Sequence, residues 1–236
     1  GFSPDQLEIE LSWIDQNIEG APYGVDLIVP NTMANQDESK TGSELQAMVP
    51  QSHRSFVEET LAKHGIDSSN LYSSSDGGNR GFLGEKSSDN ILDIAFSHPI
   101  KIIVNALGVL PLRMLELAKA NNVACGALVG NRQQAIKQVE SGVDIIISSG
   151  TEAGGHCGEI STMVLVPEVV QALQGFEDVS ILAAGGIVTG RQMAAAMAMG
   201  ADGVWTGSVW LTTEEADTSP SIKNKLLTTG SNQTVR

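Results

Sequence analysis

Basic and aromatic side chains are scarce in this 236-residue chain, and each shortage excludes something. Fourteen Lys and Arg stand against 28 Asp and Glu, a formal charge of −14. A phosphate-backbone partner is therefore excluded, since nucleic-acid binders present basic patches. Aromatic residues make up 4% and hydrophobic residues 41%, which predicts an aliphatic core built from Val, Ile, Leu, Ala and Met. The two cysteines, Cys125 and Cys157, lack CxxC spacing and an accompanying histidine cluster, so neither a disulfide framework nor a metal site is expected. No apolar run approaches the roughly 18 residues of a membrane helix, and GFSPDQLEIE has no basic or apolar leader pattern; the expectation is a cytoplasmic protein. Internal repeats and a second domain boundary are equally missing, which predicts a single domain over 1–236.

What is present is a rhythm. Six segments rich in aliphatic residues read as strands: GVDLIV (24–29), KIIVNA (101–106), VACGALV (123–129), VDIIISS (143–149), VSILAAG (179–185) and DGVWTG (202–207). They are continuous apolar runs, as strands covered on both faces should be. Between them, LPLRMLELAKANN, NRQQAIKQVESG and GRQMAAAMAMGADG carry helical spacing, with Gly142 and Gly200 as stops. From Pro99 onward strand and helix alternate, the pattern of βα units and a parallel sheet.

Residues 31–98 break the rhythm. They hold one helical pattern, SFVEETLAKHG, then the polar tract DSSNLYSSSDGGNRGFLGEKSSDN (67–90), then ILDIAFS, which reads as a short amphipathic turn. This region is expected to be an insertion or a lid. His53, His64 and His98 lie in or beside it, each apart from other ligating groups, and surface or capping roles are expected for all three.

The parallel alternatives are a closed (β/α)₈ barrel, or TIM barrel, and an open doubly wound sheet. A dinucleotide fold would show GxGxxG after its first strand, where PNTMANQ stands instead. The glycines gather at the carboxyl ends of the late strands, where a barrel keeps its phosphate site. A barrel is therefore expected. With six strands of eight and no initial Met, the reading is that the first two βα units are missing and that both termini are cut.

Three loops carry the chemistry. GTEAGGHCG (150–158) follows the fourth strand, AAGGIVTGRQ (183–192) the fifth, and GVWTGSVW (203–210) spans the sixth. Gly185 with Gly186, and Gly207 with Ser208, offer backbone N–H groups at adjacent strand ends, a cradle for an anion such as a phosphate. The alternative is that these glycines serve tight turns alone. In the first loop Ala153, Gly154 and Gly155 permit close approach of a flat ligand. His156 beside them can accept or donate a proton near neutral pH. Glu152 can orient that ring or cap a helix. Cys157 reads as a reactive thiol or, more plainly, as a small residue in a crowded loop.

Together GTEAGGHCGEISTMVLVPEVV, LAAGGIVTGRQMAAAMAMGADGVWTGSVWLTTEEA and PYGVDLIVP resemble the nitronate monooxygenase (2-nitropropane dioxygenase) family, to which enoyl-ACP reductase II is related. The resemblance covers residues 1–236 and is strongest from about 99. It implies a TIM barrel holding FMN non-covalently, with Ala153, Gly154 and Gly155 along the flavin. Gly185, Gly186, Gly207 and Ser208 would hold its phosphate, and His156 would be the catalytic histidine. The implied reaction oxidises alkyl nitronates or nitroalkanes with oxygen to carbonyl compounds and nitrite. In that family some relatives carry an acidic or amide side chain at Ser149 and many carry Arg at Cys157, which bears on substrate preference. An APM-type segment on the family's early strands has no counterpart here.

Rival readings are an FMN- and NAD(P)H-dependent enoyl reductase, a flavin-free sugar-phosphate barrel, and an incomplete, non-catalytic fragment. Monomer and homodimer are both open. Small molecules, not nucleic acid or membrane, are the expected partners.

Overall fold

The computed structural model describes residues 2–29, 47–69, 71, 85–155 and 157–234, with backbone alone for 85–89. The chain divides into two compact units, Gly1–Glu19 with Thr32–His98, and Gly20–Asn31 with Pro99–Arg236.

The second unit is an α/β assembly whose sheet comprises β1 (Gly24–Leu27), β2 (Ile102–Asn105), β3 (Ala124–Val129), β4 (Ile145–Ser149), β5 (Ser180–Ala184) and β6 (Gly203–Trp205). All five pairings are parallel and the spatial order is the chain order. A doubly wound sheet reverses direction at a switch point. No reversal occurs here, so the sheet is singly wound and forms six strands of a (β/α)₈ barrel. The expected fold class is thus observed.

Alternation along the strands sorts two apolar layers. Val104, Ile147 and Ala184 cluster with Ile102, Leu128, Ile145, Leu182 and Trp205, all strand residues, which is the barrel-interior layer. Ala183 faces the other way and packs with Val166, Ile187, Ala196 and Ala201, the helix-covered layer. The four inner strands are largely buried and read as apolar runs for that reason.

The helices of this unit are α4 (Leu112–Asn121), α5 (Arg132–Glu140), α6 (Thr162–Ala172), α7 (Gly190–Ala198) and α8 (Pro220–Thr228). Local chemistry sets their ends. Asn131 caps α5 by accepting from Gln134 N at 2.8 Å. Thr189 and Gln192 form a capping box at the start of α7. Gly142 and Gly200 follow α5 and α7 at φ 98° and 101°, as stops should. Residues 162–172 are not among the helical segments expected from the sequence, and Pro167 lies within them, a residue that disfavours a helix interior. In the structure Leu165, Val166 and Val169 of α6 are fully buried, and α6 packs on β4 and β5. Tertiary burial overrides the proline there.

The two ends of the sheet differ in chemistry. At the amino ends, Asp144 Oδ2 accepts from Cys125 N and Asp202 Oδ2 from Ile181 N, both at 2.7 Å, tying each strand to its neighbour. The carboxyl ends carry the glycine loops.

The first unit contains α1 (Pro4–Asn17), α2 (Gln51–Lys63) and α3 (Glu85–Ser97). Ser3 and Gln6 form a capping box on α1, and α1 packs on α3. Leu7 and Leu11 on α1 are buried, as are Ile91, Leu92 and Ala95 on α3. ILDIAFS, expected as a short turn, is therefore the carboxyl half of a 13-residue helix that has α1 to pack against. His98 lies just past α3 and is 8% exposed at its side chain. Its Nδ1 stands 2.6 Å from Asp15 Oδ2 and its Nε2 3.4 Å from Glu8 Oε2, both on α1. Burial lowers the His98 pKa, but the hydrogen bonds and charges of Asp15 and Glu8 outweigh it, and the net direction is up. The imidazole sits largely buried between two carboxylates of α1, not in the surface or capping role expected. The polar tract of 67–90 falls largely outside the described residues.

Candidate functional site at the carboxyl ends of β4, β5 and β6

Residues 150–161, between β4 and α6, form a closed loop. Gly150 N donates to Ala184 O (3.0 Å), Thr151 N to Ile160 O (2.9 Å) and Ala153 N to Gly150 O (3.0 Å). The last tie is made by side chains. Glu152 Oε2 accepts from Thr162 N at 2.8 Å and from Thr162 Oγ1 at 2.7 Å. Ser161, at the N-cap position of α6, makes no side-chain capping bond. A carboxylate ten positions upstream does that work, complementing the positive end of the helix dipole. Burial raises the Glu152 pKa, but the two Thr162 bonds and its own backbone N–H win, so the group is held below the usual carboxylate value. Of the two roles open for Glu152 in the sequence, the structure gives it the helix cap.

Thr162 also organises the β5 turn. Its hydroxyl lies 3.3 Å from Ala184 O and 3.2 Å from Gly185 O. A Cβ added to Gly185 would stand 2.6 Å from Thr162 Oγ1, and one on Gly150 would run into Thr162 backbone and hydroxyl. Gly185 and Gly186 adopt φ of 109° and 67°, the left-handed region. The space in front of Gly186 is taken by Glu152 Cβ, 3.1 Å from where a methyl would be. Gln192 finishes this turn: its Oε1 accepts from Val188 N and Thr189 N at 3.0 Å, and its Nε2 donates to Gly186 O at 2.7 Å.

Three further glycines of these loops differ among the described residues. A Cβ on Gly207 or Gly155 would have no neighbour within 4 Å, and one on Gly154 would meet Ser208 Oγ alone, at 3.3 Å. That last contact brings the β4 loop to the start of the 3₁₀ turn Ser208–Thr212 after β6. The sequence-derived set therefore separates into three kinds. Gly185 and Gly150 are filled by neighbouring protein, Gly186 and Gly154 each have one close neighbour, and Gly155 and Gly207 are open among the described residues. Ala153, Gly154, Gly185, Gly186 and Ser208 converge across three adjacent strand ends, while His156 lies outside the described residues. Among the described residues, no turn, loop or cap hydrogen bond uses the N–H of Gly186, Gly207 or Ser208. Those donors, with the Ser208 hydroxyl and the bare faces of Gly155 and Gly207, fit a phosphate and a flat ring.

Beside this cluster, over the carboxyl ends of β2, β3 and β4, is a cavity of about 670 Å³. Ser149, Cys157 and Gln138 are among its walls. Cys157 is half-buried and its thiol points to Thr151 O at 3.7 Å. Cys125 is buried on β3, and burial together with the Asp144 charge pushes its thiol up to about 12.

Sequence reasoning missed three residues here: Thr162, Gln192 and Asn105. Asn105 ends β2 and is fully buried, with Oδ1 accepting from Val29 N (2.9 Å) and Nδ2 donating to Val29 O (3.1 Å) and Leu107 O (2.8 Å). Its one sequence signal is an amide at the end of an apolar strand.

A singly wound parallel barrel with glycine loops over its late strands defines a broad class. Comparison with known proteins narrows it: the nitronate monooxygenase family model matches residues 2–235, and the chain belongs to that family. A Mycobacterium tuberculosis protein whose name assigns it provisionally to the monooxygenases is 46% identical over 99% of this chain and 62% of its own length. A "Probable nitronate monooxygenase" of Staphylococcus saprophyticus is 26% identical over 95% of this chain and 60% of its own length. The chain thus spans about three-fifths of the curated relatives it matches. Among solved structures, a nitroalkane oxidase from Streptomyces ansochromogenes superposes with a TM-score of 0.71 at 22% identity, covering 95% of this chain and 60% of that one. FabK from Thermotoga maritima gives 0.67 at 23% identity, covering 98% and 55%. These two likenesses are likenesses of fold.

Proposed function

We propose that this chain carries the cofactor phosphate site and catalytic loop of an FMN-dependent enzyme that oxidises alkyl nitronates with oxygen to carbonyl compounds and nitrite. One observation carries the reading: Gly155 and Gly207 are bare, Gly154 meets Ser208 Oγ alone, and the N–H groups of Gly186, Gly207 and Ser208 are unused in the turns across these strand ends. In a family of nitronate monooxygenases, that shape suits a flavin mononucleotide better than a lone sugar phosphate, which needs no flat clearance.

Gly186, Gly207 and Ser208 would donate to the FMN phosphate. Ala153, Gly154 and Gly155 would lie along its ring. FMN, when bound, supplies electron acceptance and the oxygen chemistry. The protein's part is positional and protonic. The β4 loop sets the nitronate against the flavin, and His156 holds it by hydrogen bonding or takes the α-proton of a neutral nitroalkane at an imidazole nitrogen. The family membership and the placement of His156 directly after Gly154 and Gly155 support that role.

The test is a titration of the full chain with FMN, followed by aerobic assay of nitrite from propyl-2-nitronate. One FMN per chain with nitrite release, and His156→Ala retaining FMN while losing nitrite, are expected. Unchanged turnover in that variant removes the histidine's role. FMN binding without nitrite, joined by anaerobic bleaching with NADH, replaces the oxidase reading with the reductase one. No FMN uptake ends both.

A further inference from the structure

We propose that Glu152 and Thr162 are positioning residues for the cofactor: a latch that fixes Ala153–Gly155 in the presented conformation. The inference rests on the flavin reading for what the loop presents, and on geometry alone for the latch. Neither side chain is among the groups assigned above to FMN or substrate.

Three features make this pair more than a helix cap. It is non-local, joining the second residue after Gly150 to the first residue of α6, so formation of the helix start and closure of the loop are one event. It is bidentate in effect, because one carboxylate oxygen receives both the N–H and the hydroxyl of Thr162. Bonds to an ionised acceptor are the stronger kind. Finally, it is enclosed by glycines that exist for it. A methyl on Gly185 would stand 2.6 Å from the Thr162 hydroxyl and one on Gly186 3.1 Å from Glu152 Cβ, and Gly150 faces Thr162 directly. Beyond Glu152 the chain passes into Ala153, Gly154 and Gly155, where glycine leaves the backbone little intrinsic preference. Nothing in Gly154 or Gly155 themselves fixes their course. The anchor immediately before them does.

The latch also reaches the second turn. The one Thr162 hydroxyl proton goes to Glu152 at 2.7 Å, and the same oxygen packs 3.3 Å from Ala184 O and 3.2 Å from Gly185 O, so the latch lies against the turn after β5 without bonding to it.

Three variants decide it: Thr162→Val, which keeps shape and N–H; Thr162→Ser, which keeps the hydroxyl; and Glu152→Gln, which keeps shape and an acceptor but no charge. FMN affinity is read by fluorescence quenching, the bound flavin by its visible spectrum, and the apoprotein by amide exchange at Gly154 and Gly155. Thr162→Val and Glu152→Gln should each weaken FMN on the order of ten-fold, as loss of a charge-assisted bond predicts. The bound spectrum should move toward free FMN, and Thr162→Ser should restore both readouts. Exchange at Gly154 and Gly155 should quicken in the apoprotein of both weakened variants. Wild-type affinity and spectrum in Thr162→Val overturn the proposal, as does a loss of affinity wholly accounted for by a lower fraction folded. If Thr162→Val does not fold, Glu152→Gln carries the test. If wild type takes up no FMN, the flavin reading fails by itself. The exchange data then judge the latch, and unchanged exchange overturns it.

Discussion

Substituting alanine at Gly185 and at Gly207 should separate glycines that serve the fold from glycines that serve a ligand. At Gly185 two penalties combine. The φ of 109° is open to glycine and costly for alanine, about 1–3 kcal/mol. The new methyl would stand 2.6 Å from Thr162 Oγ1 and 3.1 Å from Gly150 O, backbone that cannot yield, and such overpacking costs about 1–3 kcal/mol. Alanine restricts the unfolded chain and returns roughly 0.4–1 kcal/mol. The net loss is about 1–6 kcal/mol, a large share of the roughly 5–15 kcal/mol that holds a domain together. At Gly207, φ is −125° and a methyl meets nothing within 4 Å. Stability there should hold to within about 0.5 kcal/mol. The ligand ledger reverses the order, since the Gly207 methyl would enter the space assigned to FMN and lower its affinity on the order of ten-fold or more. Urea unfolding of both apoproteins and FMN titration of Gly207→Ala give the comparison. Destabilisation of Gly207→Ala to the level of Gly185→Ala, or undiminished FMN affinity in Gly207→Ala, would refute the division of glycines drawn here.

Three further outcomes are expected. Because the folded pKa of His98 is raised, its contribution is fully present below the unfolded value near 6.5 and is lost as pH rises through the folded value; His98→Gln should flatten that part of the stability–pH curve, measured by urea midpoints from pH 5 to 9. Asn105→Leu leaves Val29 N, Val29 O and Leu107 O without the amide, and should cost about 2–4 kcal/mol in the same assay at roughly 1 kcal/mol or more per bond. In native protein at pH 8 a thiol reagent should modify Cys157 and spare Cys125, whose thiol is buried and pushed up to about 12; denaturant should expose both.

The barrel was legible because its determinants are local and repetitive. β2 to β5 are apolar runs, helical spacing follows three of them, and Gly142 and Gly200 announce stops, so strand order follows once the βα rhythm is counted. What stayed hidden depends on distant neighbours. Ile91, Leu92 and Ala95 read as a turn because their partners Leu7 and Leu11 lie some 80 residues earlier. Helix α6 was not expected, and its burial against β4 and β5 is invisible in a window around Pro167. The site shows the same divide. Its glycines and His156 stand out by composition, but a glycine kept bare for a ligand and a glycine filled by a neighbour look alike in sequence. Gly207 and Gly185 became distinguishable once Thr162 was placed. Thr162 itself, an ordinary hydroxyl at a helix start, has its neighbours ten and 22 to 23 residues away.

The loop between Glu152 and Thr162 is fastened at its two ends. Between the anchors, Gly158 is confined by Gly130, whose carbonyl oxygen would lie 2.6 Å from an added methyl, whereas Gly155 is open among the described residues. The cap on α6 is made by Glu152 and the tie to β5 by Gly150 N, so the side chains of Ala153, Cys157, Glu159 and Ile160 take no part in either. A lineage can therefore alter which molecule is accepted at the mouth of the barrel without reopening the question of whether the barrel folds.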